Sequence, residues 1–326
     1  MKEGEKLAQS SVEKQFTDTL KSVARNLEIK KYIQQSNELY PIFERASKRF
    51  VTGDSREDGL SVGNQLIQKG YRISLEYIGE NTTSKDECIQ AKDEFITLMK
   101  ECAKQGLSSR ISLDLSHIGL SIDPQLAYQY LVEIAKEAQS DDLSIMISME
   151  ESTKTDQILS IYKRVVVDYS NVGITLQAQL QRTLNDINDL LNYAGTIRIV
   201  KGAYQEPPDI CIPRSQNLNE RYLELVDLCV KAGKQVSIAS HDEVMYQQII
   251  ERGYLQNPNV EAEMLYGIHP DLCKQLKDDG LPVRVYLTYG TEWYLYLCHR
   301  IAEYPPNIYV AITDMIRGVE DSSQLY

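Results

Sequence analysis

A chain of 326 residues, 42% of them hydrophobic, is long enough for one large core, or for a barrel with a small accessory region. Its 35 basic and 47 acidic side chains leave a net charge of −12, which argues against a nucleic-acid partner, where a basic stripe is expected. Six scattered cysteines with no C-x-x-C pair suit a reducing cytoplasm better than a disulfide framework or a zinc finger, and no run approaches the roughly 18 apolar residues of a membrane span.

In chain order, residues 1–65 read as an N-terminal helical segment. Its opening stretch, "MKEGEKLAQSSVEKQF", has no apolar core of the kind a secretory signal carries. "LAQSSVEKQFTDTLKSVARNL" and "LYPIFERASKRF" place apolar residues at helical spacing. Beyond "VTGDSREDG" short β-rich runs alternate with longer helical stretches, and residues 66–310 read as a barrel domain. The runs lie at 72–78, 110–116, 143–149, 173–179, 196–200, 235–240, 259–265 and 283–287. The intervening helices open on plausible caps, Asp123 before Pro124, Thr153 and Asn217, and five end in Gly. "EWYLYLCHRIAEY" follows the last run as an eighth helix. Eight strand–helix units predict an α/β fold, a (β/α)8 TIM-type barrel. A doubly wound open sheet is the alternative, because strand order is invisible in a sequence. Residues 311–326 form a C-terminal tail that could cover a pocket.

Function in such a barrel collects at the C-terminal ends of the strands. That rule selects Glu76 and Tyr77, then Asp114, Ser116 and His117, then Ser148, Met149 and Glu150. It continues with Gln177 and Gln179, with Lys201, Gly202, Ala203 and Tyr204, with Ser240, His241 and Asp242, with Glu263, and with Tyr286, Thr288, Tyr289 and Gly290. Arg198, a cation between Ile197 and Ile199, is either a barrel-interior ion pair or a ligand contact. His241 is either a core histidine or a ligand contact. The four histidines lack metal-site spacing, so no metal is expected. Nucleophile-elbow, P-loop and dinucleotide fingerprints are absent, and a glycosidase pair such as Glu150 with Glu263 could be picked from any barrel. On the eighth helix Tyr296, His299, Arg300 and Glu303 stand at i, i+3, i+4 and i+7 and so share one face.

At "RIVKGAYQEP" the chain resembles the proline dehydrogenase family, FAD enzymes on a distorted (β/α)8 barrel with N-terminal helices. "EYIGEN", "ISMEES", "GITLQAQLQRT", "SIASHD", "EAEMLYGI" and "VRVYLTYGTEWYLYLCHRIAEYPPN" follow in the family's order, and the likeness covers about residues 45–310. The resemblance implies FAD as cofactor and oxidation of L-proline to 1-pyrroline-5-carboxylate by hydride transfer to the flavin. It implies that Arg198, Lys201, Gly202, Ala203, Tyr204, Met149, Gln177, Ser240 and His241 hold the cofactor. Tyr286, Tyr296, His299, Arg300, Glu303 and Asp114 would line the substrate pocket, and Arg198, Ser148 and Tyr286 would serve the chemistry. Arg214 and Tyr222 fall in a segment like the loop and helix after the fifth strand.

The departures are as informative. Asp114 stands where the family has Lys, Ser148 where it has Asp, His299 where it has the first Arg of a pair, and Ser240 where it has Thr. Counted as charges, the first three make the pocket about two units more negative. A free amino-acid carboxylate favours guanidinium partners, and one arginine of the pair remains. Two alternatives therefore stay open: a flavin oxidoreductase of a related imino acid in secondary metabolism, as in carbapenem assembly, and a non-catalytic flavin- or ligand-binding member. Relatives commonly pass electrons to membrane quinones, which leaves peripheral membrane contact of a cytoplasmic protein open, although no basic amphipathic helix argues for it. Oligomeric state is not legible.

Overall fold

The computed structural model describes residues 12, 15–20, 22–24, 26–303, 307–318 and 322–326. Much of the first predicted helix lies outside these. Eight strands run β1 (Arg72–Tyr77), β2 (Ser109–Leu113), β3 (Ser144–Ile147), β4 (Val172–Gln177), β5 (Ile197–Val200), β6 (Val236–Ala239), β7 (Val260–Leu265) and β8 (Val283–Tyr289). They close in sequence order into one barrel, every pair parallel, with Ile73 opposite Ser109 on one side and Val285 on the other. The open-sheet alternative is excluded. The strands end earlier than the β-rich runs wherever the backbone leaves the ladder. After β2, for example, the His117 N–H turns back to the Asp114 carbonyl at 3.2 Å.

Between the strands lie α4 (Lys85–Gln105), α5 (Pro124–Ser140), α6 (Thr155–Val166), α7 (Thr183–Leu190), α8 (Gln216–Lys231), α9 (Glu243–Glu251) and α10 (Pro270–Asp278). They follow the helices α1 (Leu27–Gln35), α2 (Leu39–Ser47) and α3 (Arg56–Gln68), and precede α11 (Trp293–Glu303) and α12 (Asn307–Arg317). Asp123 caps α5 as predicted, its carboxylate accepting from the Gln125 N–H. The other two predicted caps are displaced. Thr153 sits inside a 3₁₀ turn that leads into α6, and α8 begins two residues earlier than expected, capped by Ser215 rather than Asn217.

The eighth helix departs from a regular barrel. α11 packs chiefly on α2 and α12, while α3 lies against β8 and β1, where an eighth outer helix would stand. The small residues of α3 explain its close approach: a Cβ on Gly59 would lie 3.0 Å from the Tyr289 ring, and one on Gly63 would lie 2.8 Å from Ile73. α1, α2, α11 and α12 share a second apolar cluster containing Phe50, Trp293, Leu297, Ile301 and Ala311. Arg49 clamps Asp314 of α12 bidentately, at 2.5 and 2.9 Å. The division at 65/66 therefore falls inside α3, and the one at 310/311 inside α12. The tail contributes none of its described residues to the cavity lining. Its last residue, Tyr326, stacks on Tyr266 and accepts from the Gly267 N–H at 2.7 Å.

The barrel interior is ionic rather than aliphatic. At its lower level the Glu261 carboxylate accepts from Arg284 at 2.8 and 3.1 Å and from Arg72 at 3.0 Å, with Arg110 at 2.9 Å. One level higher, Glu263 accepts from Arg198 at 2.7 and 3.0 Å, Arg110 at 3.2 Å, Ser237 at 2.7 Å and Ser74 at 3.1 Å. Burial raises the Glu263 carboxyl, but Arg198 and then Arg110 outweigh it and hold it at about 2. The ionised side chains are thus paired with opposite charges before any ligand arrives.

Candidate active site

Above this ionic layer the strand ends open into a cavity of about 1530 Å³, larger than the roughly 300–1,000 Å³ of a site for one drug-sized ligand. The cavity brings together Asp114, Ser148, Met149 and Gln177 from β2–β4, and Arg198, Lys201, Gly202, Ala203 and Tyr204 from β5 and its loop. Ser240, His241, Tyr286, Tyr296, His299 and Arg300 complete the gathering. Glu303 is the last residue of α11, and its side chain lies outside the described part of the structure. Arg214 joins the wall, donating to the Gly202 carbonyl. Tyr222 does not. Its hydroxyl is buried beneath the sheet, donating to the Ile199 and Ala239 carbonyls at 2.9 and 3.0 Å, where it ties β5 to β6.

Arg198 answers both expectations for it. Its guanidinium is held by Glu263 and by the Ser112 hydroxyl at 2.9 Å, yet it also reaches the cavity floor. There it lies 4.9 Å from the Tyr286 ring centre, a cation–π distance. Burial opposes its charge, but Glu263 and Tyr286 raise its pKa above the ordinary arginine value. Lys201 is likewise engaged, its ammonium 2.7 Å from Asp242. After β5 the chain must turn at Gly202, whose φ is +109°. A Cβ there would stand 2.4 Å from the Gln179 side chain, so only glycine leaves this turn open. Gln179 and Gln177 form a relay from the turn into β3: Gln179 donates to the Tyr204 carbonyl at 3.2 Å and Gln177 to the Glu150 carbonyl at 2.9 Å.

His241 presents a buried Nδ1 with no partner. Burial, with Arg300 and His269 adding to it, lowers its pKa to about 3, so the ring is neutral at pH 7. His117 is similar: burial takes it to about 4, and it packs against Tyr77 and Phe95. It is an aromatic wall rather than a cation. Across the cavity Arg300 lies 4.7 Å from the Tyr296 ring.

Sequence picked Glu76 only by its place at a strand end and Asp114 only as a pocket-lining residue. Glu76, at the end of β1, accepts a hydrogen bond from the Tyr286 hydroxyl. Burial raises its carboxyl to about 7, against the opposing pull of Tyr286, Arg198 and Arg300. Asp114, on the neighbouring strand, is raised well above the usual range by burial and then by Glu76, Glu150 and Glu80. "RISLEYI" did hold the signal: a glutamate at an inward-facing position of a strand whose other inward residues are Arg72 and Ser74.

The sequence profile of the family described as "Proline dehydrogenase" matches residues 60–304. Proline dehydrogenase 1 of Bacillus subtilis is 32% identical over 264 residues, 80% of this chain and 87% of that protein. Proline dehydrogenase of Deinococcus radiodurans is 33% identical over 281 residues, 83% of this chain and 90% of that one. Among solved structures, proline utilization A from Bdellovibrio bacteriovorus superposes with a TM-score of 0.75 at 17% identity. The match takes in 96% of this chain but only 40% of that one, and it establishes likeness of fold.

Proposed function

The chain belongs to the proline dehydrogenase family of oxidoreductases, and from that premise we propose that it oxidises L-proline to 1-pyrroline-5-carboxylate with bound FAD as the hydride acceptor. The observation that carries the reading is the single cavity that gathers every described side chain matched to the family's cofactor and substrate positions.

The residues present fit a flavin dinucleotide. The cavity exceeds what a small substrate alone needs. The Gly202 turn, packed on the Gln179 side chain, lines the cavity beside Lys201, and the neutral His241 ring carries a polar nitrogen that the protein itself leaves unmatched. When bound, the flavin supplies a ring that accepts two electrons; the protein supplies placement and field. Met149, Gln177, Tyr204, Ser240 and His241 would hold the cofactor together with Lys201, Gly202 and Ala203. Arg198, fixed by Glu263, would place a permanent positive charge beneath the ring system, where electron density grows on reduction.

The substrate would sit between the Tyr286 floor and α11. The substrate carboxylate would be bound by Arg300, which faces the cavity together with Tyr296, the ring wall, and His299. Ser148 would leave room and a hydroxyl on β3. A related imino acid is the second reading, favoured by Asp114 and Glu76, two acids on the floor of the same cavity. All six cysteines are unpaired and five are buried, in keeping with a reducing cytoplasm. No helix among the described residues is long and apolar enough to cross a membrane, so transfer of electrons to a membrane quinone would use peripheral contact.

Incubating the purified protein with L-proline and an artificial electron acceptor tests the reading. The expected product has two hydrogens fewer than proline by mass spectrometry. Turnover of a related imino acid with none of proline would move the assignment to the second reading, and turnover of neither would overturn both.

A further inference from the structure

The cavity floor carries an electrostatic arrangement that a binder of carboxylates does not need. Glu76 and Asp114 rise from adjacent strands into the space that Arg300 faces from α11. Every cation of the barrel interior below them is engaged: Arg198 and Arg110 by Glu263, and Arg110, Arg284 and Arg72 by Glu261. Neither Glu76 nor Asp114 is within salt-bridge distance of a lysine or arginine among the described residues. Glu76 holds its position through Tyr286, whose ring is fixed in turn by the Arg198 guanidinium. The carboxyl is pre-oriented without being neutralised.

We propose that Glu76 and Asp114 form the amine subsite of this pocket: they bind the secondary ammonium group of the imino acid, and Glu76 accepts its proton. This deepens the reading of the cavity as an imino-acid site and rests on it. It is the cavity, not the pair of acids alone, that marks the place as a ligand site. Arg300 then takes the opposite end of the zwitterion, and the two ends fix which ring carbon is presented. In the proton step a substrate N–H bond breaks as a carboxyl O–H bond forms, so an ammonium–carboxylate pair becomes a neutral amine beside a neutral acid. The electron pair left on nitrogen is the one that oxidation of the adjacent carbon requires. Neutralising both partners also suits a buried floor, where separated charge is costly.

The groups facing the pair define its pH response. Tyr286 from β8, Arg198 from β5 and Arg300 from α11 favour the ionised form of Glu76, while Glu80 from the loop after β1 opposes it. Asp114 faces Glu76, Glu150 and Glu80, with Ser148 donating towards it. The charge of Glu76 raises the Asp114 pKa, so the two titrations are linked. The subsite therefore becomes anionic as pH rises towards about 7, while an alkylammonium stays charged to about 10.

Pyrrolidine, an amine without the carboxylate, and cyclopentanecarboxylate, a carboxylate without the amine, separate the two ends. Calorimetric titration of the purified protein should show pyrrolidine binding that tightens from pH 5 to about 7 and then levels. Glu76→Gln keeps an acceptor for Tyr286, and Asp114→Asn keeps the size of the side chain. Each should weaken pyrrolidine at least tenfold, leave cyclopentanecarboxylate unchanged or tighter, and in Glu76→Gln remove the pH dependence. Pyrrolidine affinity within twofold of the parent in both variants would overturn the proposal, as would an equal loss for both probes, which marks a structural role. The two readings fail separately. Carboxyl-dependent pyrrolidine binding without proline oxidation would leave the amine subsite standing alone, and proline oxidation with carboxyl-independent pyrrolidine binding would remove only the subsite.

Discussion

Replacing Glu263 by glutamine tests whether the barrel interior is held by charge. The side chain is 2% exposed and accepts from two arginines and two serines. Glutamine keeps its size but leaves Arg198 facing no carboxylate in that layer, while Arg110 retains Glu261. The carboxyl is held at about 2 against an ordinary 4.5; at about 1.4 kcal/mol per pH unit that interval corresponds to about 3 kcal/mol. Breaking one partner of a buried pair costs roughly 3–5 kcal/mol by general experience, so the two routes agree. Because the folded-state pKa is depressed, this stability is fully present above about pH 4.5 and is lost as pH falls towards 2. Urea unfolding at pH 7 should show a lower midpoint with an unchanged slope. The gap between parent and variant should narrow steadily from pH 4.5 downward. A gap below about 1 kcal/mol at pH 7, or one that does not narrow in acid, would refute the reasoning.

Arg300→Ala should raise the KM for L-proline by roughly 30-fold or more, from about 2 kcal/mol for a lost charged contact to the carboxylate; steady-state kinetics reads this directly, and a near-normal kcat/KM would free Arg300 of that role. His299→Arg supplies a second guanidinium on the same helical face and should lower the KM for L-proline by about tenfold, whereas an unchanged KM would show that position 299 does not face the substrate. Gly202→Ala puts a Cβ 2.4 Å from the Gln179 side chain at a φ of +109°. It should emerge from purification with a reduced ratio of flavin to protein absorbance, and full flavin content would mean that the turn does not shape the cofactor site.

The barrel was legible because parallel strands buried on both faces and amphipathic helices leave different periods in a sequence, and eight repeats of that change leave few folds. Closure was not, since β1 meets β8 across some two hundred residues. The role of α3 was hidden for the same reason: α3 precedes the strands it covers, and only the packing of Gly59 and Gly63 against β8 and β1 reveals it. In the site, the strand-end rule and the family likeness found the wall residues one by one. They left the alternatives for Arg198 open, because its partner Glu263 lies 65 positions away and whether one guanidinium serves core and cavity together depends on side-chain direction. Glu76 stood among the strand ends, but its importance comes from its half-buried place beside Asp114 and Tyr286, a property of the assembled floor. Tyr222, in the helix after the fifth strand, ties two strands together through its hydroxyl, a role that its sequence position alone did not show.

The central claim is that this cavity oxidises proline with a bound flavin. Its most direct measurement is the visible spectrum of the purified protein under anaerobic conditions as L-proline is added. The account predicts a flavin absorbance band that is lost on adding L-proline and returns with an oxidant. A protein that takes up no flavin, or a flavin band indifferent to L-proline, would contradict it.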